Sequence, residues 1–468
     1  MDFTLKFDGQ SKEPLYMQLY QHIKEEIQKG ILDAGTRLPS IRQLSSYLNV
    51  SKNTIELAYQ QLIAEGYVDS RARSGLYVVE NNTDIIPIKK AQAKLFDEVL
   101  NEHKETFEYD FRQGRIDLEH FPYTTWRKLS NQVLFPENKS NFLYGDPQGE
   151  LELRREIAQY LYQSRGVNCS LSQILVGSGI QQLLTTFCQI IGVNNQSIAI
   201  EEPSYDGARM VFKNLGFNLH PILLDETGIN MEHLKISDAN VVYVTPSHQF
   251  PCGMIMPYSK RMELIQWAEH RNGFIIEDDY DGEFRYIGKP IPSLQGLDPN
   301  GRVIYLGTFS KALLPALRMS YMVLPKYLLS VFKRNFASYE QTVSKIHQIT
   351  MQLFMEEGHW ERHIRKMRKI YQKKHATLIS SIINIMDDKV NIVGSHSGLH
   401  ILLQVNNKMT EKELVQTALR NKVKVYPTSI YFNDLRHINK PLIQLGFGGL
   451  TEHQITEGII LLNKAWFE

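Results

Sequence analysis

Cysteine is scarce in this chain: Cys169, Cys188 and Cys252 are the only three in 468 residues, and no two form a CxxC pair. That excludes a disulfide scaffold and favours a reducing compartment. A charge excess is also missing. With 52 Lys plus Arg against 51 Asp plus Glu the net charge is +1, so any contact with a polyanion must come from a local patch. No apolar run approaches the ~20 residues of a membrane helix. The opening Met1-Asp2-Phe3-Thr4-Leu5-Lys6 carries charges where a signal peptide needs an apolar core. A soluble, cytoplasmic protein with no membrane partner is expected. A hydrophobic content of 43% and a charged content of 22% exclude a disordered or fibrous chain. The length exceeds one ordinary core, which predicts two or three domains.

Residues 1–80 read as one unit. Pro14 opens a helix with Leu15, Leu19, Ile23 and Ile27 at four-residue spacing, and Gly30 ends it. Pro39 and Ser40 start a second, carrying Ile41, Leu44 and Leu48. Ser51 caps a third, in which Ile55, Ala58, Tyr59, Leu62 and Ile63 are expected to face inward. Two β-like stretches, 67–70 and 76–79, flank Arg71-Ala72-Arg73-Ser74-Gly75 as a hairpin. Three helices and a hairpin make a winged helix-turn-helix pattern. Residues 81–108 are polar and charge-rich and read as a linker.

From 109 to 468 the pattern changes to α/β. Strand-like runs at 174–176, 197–200, 241–244, 274–276 and 303–306 are separated by 20, 40, 29 and 26 residues. Each gap has room for a crossover helix, which predicts a mostly parallel, buried sheet.

Chemistry first shows in the winged unit. Ser51, Lys52, Asn53 and Thr54 are four hydrogen-bonding side chains at a helix start, where base edges and phosphates are met. Arg42 falls on the outer face of the preceding helix, and Arg71, Arg73 and Gly75 on the wing. Residues 1–80 hold 9 Lys plus Arg against 10 Asp plus Glu; a DNA surface therefore requires Arg37, Arg42, Lys52, Arg71 and Arg73 to share a face. A helical protein-interaction module is the alternative. Leu38-Pro39-Ser40-Ile41-Arg42-Gln43-Leu44 and Val50-Ser51-Lys52-Asn53-Thr54 resemble the GntR-type winged helix over residues 14–79. That resemblance implies a double-stranded DNA operator as partner, met by Arg42, Ser51, Lys52, Thr54 and Gly75.

Four separated signals in the larger part fit an aromatic aldehyde bearing a phosphate. Gly307-Thr308-Phe309-Ser310-Lys311, with Arg318 seven residues on, offers an amine for condensation and groups for an anion. The acids of Glu277-Asp278-Asp279-Tyr280-Asp281 follow a strand, where a carboxylate can hold a ring nitrogen protonated and a phenol can meet a ring oxygen. Gly177-Ser178-Gly179-Ile180 leads from strand to helix and suits a phosphate. Tyr205, after Glu201-Glu202-Pro203-Ser204, can stack on a ring. Each signal alone has a bland reading: a solvated lysine, an acidic or metal-binding loop, an ordinary turn, a core tyrosine.

Together the four resemble the fold-type I, pyridoxal 5′-phosphate-dependent aminotransferase domain, a large α/β part with a smaller C-terminal α+β part. The resemblance implies Lys311 as the cofactor's lysine, Asp278 on the pyridine nitrogen, Tyr280 on the ring oxygen and Tyr205 stacked on the ring. Ser178, Gly179, Ile180, Ser310 and Arg318 would surround the phosphate. Tyr144-Gly145-Asp146-Pro147-Gln148-Gly149 and Thr245-Pro246-Ser247-His248-Gln249-Phe250-Pro251 match further stretches of the fold. Phe250 stands where that family has an asparagine on the ring oxygen, which leaves the contact to His248 or Gln249 or removes it.

The fusion as a whole resembles the MocR/GabR-type family of bacterial transcription regulators. The resemblance implies a homodimer whose DNA binding answers to a small-molecule effector, the cofactor itself or an amine or amino-acid derivative, in control of vitamin B6 or amine metabolism. Two departures bear on that effector. Members that sense an amino acid grip its carboxylate with arginines; the matching positions here are Gly207 and Gly449. Losing such a pair costs about 2–4 kcal/mol, roughly 30- to 1000-fold in binding. γ-Aminobutyrate is therefore not expected as effector, nor ordinary transamination as an activity. The competing reading is a working aminotransferase with an accessory DNA-binding head.

Overall fold

The computed structural model describes residues 7, 13–71, 74–79, 107–193, 196–286, 291–438 and 440–468. The chain forms two compact units, Met1–Lys104 and Glu105–Glu468. Arg73 and, apart from Phe107 and Glu108, the expected linker 81–108 lie outside the described residues.

In the first unit the expected elements form: helices Leu15–Gln28, Ile41–Leu48 and Lys52–Ala64, then antiparallel strands Val68–Arg71 and Gly75–Val78. Leu19, Ile23, Leu44, Ile55, Tyr59, Leu62, Val68 and Val78 share one core. Ser40 makes a capping box with Gln43, which fixes where the second helix begins. The Tyr59 hydroxyl donates to the Pro39 carbonyl at 2.9 Å and ties the third helix to that start. Two expected core positions are exposed, Leu15 at 43% and Ile63 at 39%. Leu15 is the first residue of its helix. Ile63 is turned about 100° from buried Leu62 and so leaves the inward face.

The second unit is built on an eight-stranded sheet. Across it run Ile174–Gly177, Ser320–Val323, Val303–Thr308, Phe274–Asp279, Val241–Val244, Ser197–Glu202, Asn218–Asp225 and Gly228–Ile229. The five middle strands from Val303–Thr308 to Asn218–Asp225 are joined by four parallel pairings, whereas Ser320–Val323 is antiparallel to both neighbours. Val241–Val244 is buried along its whole length, as a strand covered by helices on both faces must be. Burying each such side chain contributes roughly 1.5–3 kcal/mol. A smaller antiparallel sheet orders Val390–Val393, His400–Val405, Leu442–Gly446 and Tyr426–Pro427, with helices His359–Met386 and Glu452–Phe467 packed together beside it. Tyr109–Asp110 pairs in parallel with Val423–Lys424, so the start of the unit is stitched to its C-terminal part. Among the described residues no helix is long and apolar enough to cross a membrane.

Candidate functional site

The carboxyl ends of the central parallel strands converge on a cavity of about 320 Å³. Phe274–Asp279 delivers Asp278 and, just past its end, Tyr280; Val303–Thr308 delivers Thr308, Ser310 and Lys311; Ser197–Glu202 leads to Tyr205. Of the nine residues expected at a cofactor, Lys311, Asp278, Tyr280, Tyr205, Gly179, Ile180, Ser310 and Arg318 line it. Ser178 does not. Its carbonyl instead lies 3.5 Å from the Arg318 guanidinium, outside the lining.

Lys311 Nζ donates to the Gln113 carbonyl at 2.9 Å. Loss of water around the amine pulls its pKa down to about 8, with Asp281 opposing the shift. Asp278 is buried; its Oδ2 accepts from the Tyr243 hydroxyl at 2.6 Å, and its Oδ1 has no partner. Burial raises this carboxyl to about 7, the Tyr243 hydroxyl opposes the shift, and Asp279 and Asp281 add to it. A buried carboxylate oxygen without a donor is costly, and this one belongs to a residue that lines the cavity. Gly179, at φ +120°, is the N-cap of helix Ile180–Ile191 and no side chain caps that helix. A Cβ on Gly179 would stand 2.3 Å from Arg318 Nη2, so only glycine lets the guanidinium lie over the helix start. Free N–H groups and a guanidinium at one helix end form an anion cup.

The turn 245–251 answers the question left by Phe250. Gln249 Nε2 donates to the Pro203 and Phe250 carbonyls at 2.9 and 2.8 Å and so pins the turn rather than entering the cavity. Phe250 lines the cavity, 6.0 Å from the Tyr205 ring. His248 Nδ1 lies 2.9 Å from both Asp281 Oδ2 and the Tyr280 hydroxyl. Tyr280 is therefore braced by a histidine that a carboxylate braces in turn. His248, Asp281 and His400 place ligand atoms within 4.8 Å of one another, but His400 Nε2 is spent on the Pro251 carbonyl at 3.0 Å. Tyr144 is exposed and lies outside the cavity lining.

The two departures from the arginine pattern have different surroundings, side-chain ends at Gly207 and a side-chain root at Gly449. A Cβ on Gly207 would meet Tyr205 Cζ at 2.4 Å, and one on Gly449 would meet Arg115 Cβ at 2.6 Å. Arg209, the nearest basic residue to Gly207 in sequence, donates to the Ile430 carbonyl at 2.7 Å. Tyr243, Thr245, Ser320 and Gln113 also line the cavity and were not read from the sequence as site residues. Tyr243 sits inside an apolar strand run and Ser320 inside an unrecognised strand; only the acid opposite Tyr243 could have signalled it.

Glu201, Glu277 and Glu283 are, like Asp278, pushed up to about 7 chiefly by burial. Carboxyls raised above their unfolded value of about 4 bind more protons folded than unfolded between pH 4 and 7, so stability falls as pH rises through that window. Buried His363, His375 and His400, held below their ordinary value chiefly by burial, work in the opposite sense, so the clean expectation is a difference: freed of any bound small molecule, Asp278→Asn should gain stability relative to the wild type as pH rises from 5 to 8. Thermal denaturation of both proteins across pH checks this; a melting-point difference that does not change with pH counts against it.

On the first unit, Arg42, Ser51, Lys52 and Asn53 are exposed. Ser51 Oγ accepts from the Thr54 N–H at 3.2 Å and lies 2.8 Å from the Thr54 hydroxyl, so these two residues cap the helix while Lys52 and Asn53 project. Arg71 lies over the Tyr77 ring at 4.6 Å. Gly75 has φ +120°, and a Cβ there would crowd Arg37 Nε at 3.0 Å.

Comparison with known proteins agrees with both units. Residues 15–78 match the family of bacterial regulatory proteins, gntR family, and residues 109–459 match aminotransferase class I and II. The HTH-type transcriptional regulator YdeL of Bacillus subtilis is 43% identical, covering 100% of both chains. The probable rhizopine catabolism regulatory protein MocR of Rhizobium meliloti is 30% identical over 99% of this chain and 96% of its own. The pyridoxine biosynthesis transcriptional regulator PdxR of Corynebacterium glutamicum is 29% identical over 90% and 89%. Among solved structures, the kynurenine aminotransferase of Pyrococcus horikoshii superposes with a TM-score of 0.70 at 25% identity, covering 81% of this chain and 96% of its own.

Proposed function

The chain belongs to the MocR-type transcriptional regulators, which join a GntR-type head to an aminotransferase class I and II domain, and from that premise we propose that its second unit binds pyridoxal 5′-phosphate to set operator binding by the first. One observation carries the reading. A single cavity holds a lysine with a lowered pKa, a buried carboxylate oxygen lacking a donor, and an arginine over an uncapped helix start. Amine, acid and anion cup match the aldehyde, ring nitrogen and phosphate of that one molecule.

When bound, the cofactor supplies an aldehyde and an electron-withdrawing ring. The protein's residues do the remaining work. Asp278 holds a proton on the ring nitrogen, gaining the donor its Oδ1 lacks. Tyr280, oriented by His248 and Asp281, offers its hydroxyl to the ring oxygen, and Tyr205 with Phe250 covers the ring. Arg318 and the first N–H groups of helix Ile180–Ile191 take the phosphate charge. The protein acts as a homodimer, because two heads reading two half-sites multiply affinity. The relative named for pyridoxine biosynthesis supports the cofactor itself as a signal.

Titrating pyridoxal phosphate into cofactor-free protein while following operator affinity tests the reading. A coupling of about 1–3 kcal/mol is expected of a two-state switch. Affinity that stays flat through saturation would reduce the cofactor to a platform for another ligand. For the head, Arg42→Ala and Lys52→Ala should each weaken operator binding by about 1–3 kcal/mol, and loss of a phosphate contact should flatten the salt dependence. Gel-shift affinities that match the wild type for both variants would remove this surface from DNA.

A further inference from the structure

Arg115 is the residue that fills the space beside Gly449: a Cβ on Gly449 would stand 2.6 Å from Arg115 Cβ and 3.4 Å from its Cδ. An arginine at 449 and the present Arg115 side chain exclude one another on this backbone, so the guanidinium near this point comes from a different segment of the chain. Its aim is fixed. Asp110 Oδ2 takes one N–H of Arg115 at 2.9 Å, and Asp110 Oδ1 is itself held by the Tyr426 hydroxyl at 2.8 Å. Asp110 is the one side-chain partner of Arg115 recorded among the described residues, and a guanidinium has five donors. An oriented fork with most of its donors unspent suits a carboxylate.

Its position is tied to Lys311 through the same segment. Lys311 Nζ bonds the Gln113 carbonyl, and Arg115 follows two residues on, within about 7 Å of extended chain. Arg115 lines a second cavity, of about 590 Å³, whose wall shares Gly114 and Pro315 with the cofactor cavity. The other cation there, Lys374, is already committed to Asp117 Oδ2 at 2.7 Å and the Gly448 carbonyl at 3.0 Å. Glu119 is an exposed acid on the same lining.

We propose that Arg115 receives the carboxylate of the effector, and that the effector is a primary amine whose carboxylate is carried on a chain long enough to pass Gly114. The amine end meets the cofactor at Lys311, so the inference rests on the cofactor reading above. A plain alkylamine lacks the anion.

The test uses full-length protein loaded with pyridoxal phosphate, with 6-aminohexanoate and n-hexylamine as probes, and reads the concentration that half-perturbs the visible band. In the wild type 6-aminohexanoate should act at a concentration roughly tenfold or more below n-hexylamine. Arg115→Gln should close that gap, and Arg209→Gln should leave it open. Should Arg115→Gln fail to load with cofactor, Arg115→Lys serves, with the gap at least roughly threefold narrower because a point charge lacks the fork. Equal potency of the two probes in the wild type, or an unchanged gap in the Arg115 variants, overturns the assignment. A wild type that shows no visible band at all overturns the cofactor reading, and this one with it.

Discussion

Lys311→Ala is expected to abolish the visible absorption band that pyridoxal phosphate gives with the wild type, and to leave operator affinity indifferent to the cofactor. The reason lies in the amine. Its pKa near 8, against about 10.5 for an ordinary lysine, raises the neutral, nucleophilic fraction at pH 7.5 roughly two hundredfold. No other lysine lines the cavity among the described residues, so nothing else there offers an amine to the aldehyde. Arg318→Ala should behave differently. It keeps the amine, and so the band at saturating cofactor, but loses a charge-assisted contact of about 2–3 kcal/mol, which weakens cofactor binding roughly 30- to 150-fold. Absorbance titrations of the two variants separate the roles. A full band in Lys311→Ala would show that the amine lies elsewhere and would remove the basis for the site.

Much of this was legible in the sequence because local chemistry and fold position coincide. Ser40 with Gln43 and Ser51 with Thr54 are caps whose partners lie three residues away, so the helix starts of the head could be read directly. Lys311, Asp278 and Gly179 each follow a β-branched run, and the carboxyl ends of such strands meet in open sheets. What escaped reading depends on contacts far apart in the chain. Ser320–Val323 is only four residues long and follows Arg318 so closely that it reads as part of the anion loop; its antiparallel pairing places it in the sheet. Strand Asn218–Asp225 hides in the 40-residue gap that had room for a helix alone. Tyr243 belongs to the site only because Phe274–Asp279 lies parallel beside it and offers Asp278. Gly207 and Gly449 looked like plain losses of arginine; the structure shows each covered by a named side chain.

Those two glycines carry the second large expectation. With γ-aminobutyrate or a common α-amino acid as donor and a keto acid as acceptor, turnover should fall at least about a thousandfold below the ~1–1000 per second of a typical enzyme. Two charge-assisted clamps are missing, each costing about 2–4 kcal/mol, and their loss leaves a short substrate unoriented at the reacting centre. The geometry also predicts that single restorations fail. Gly207→Arg would drive its Cβ into the Tyr205 ring, 2.4 Å away, and Gly449→Arg into Arg115 at 2.6 Å. Because the clash is with the Arg115 Cβ, which alanine would keep, only Gly449→Arg combined with Arg115→Gly opens the space for an arginine at 449, and that double variant should gain turnover over either single one. Coupled-enzyme assays across the standard amino acids decide the matter. Wild-type rates within the ordinary enzymatic range would make the chain a working aminotransferase with a DNA-binding head, because an unclamped short substrate is not held well enough to react at such rates.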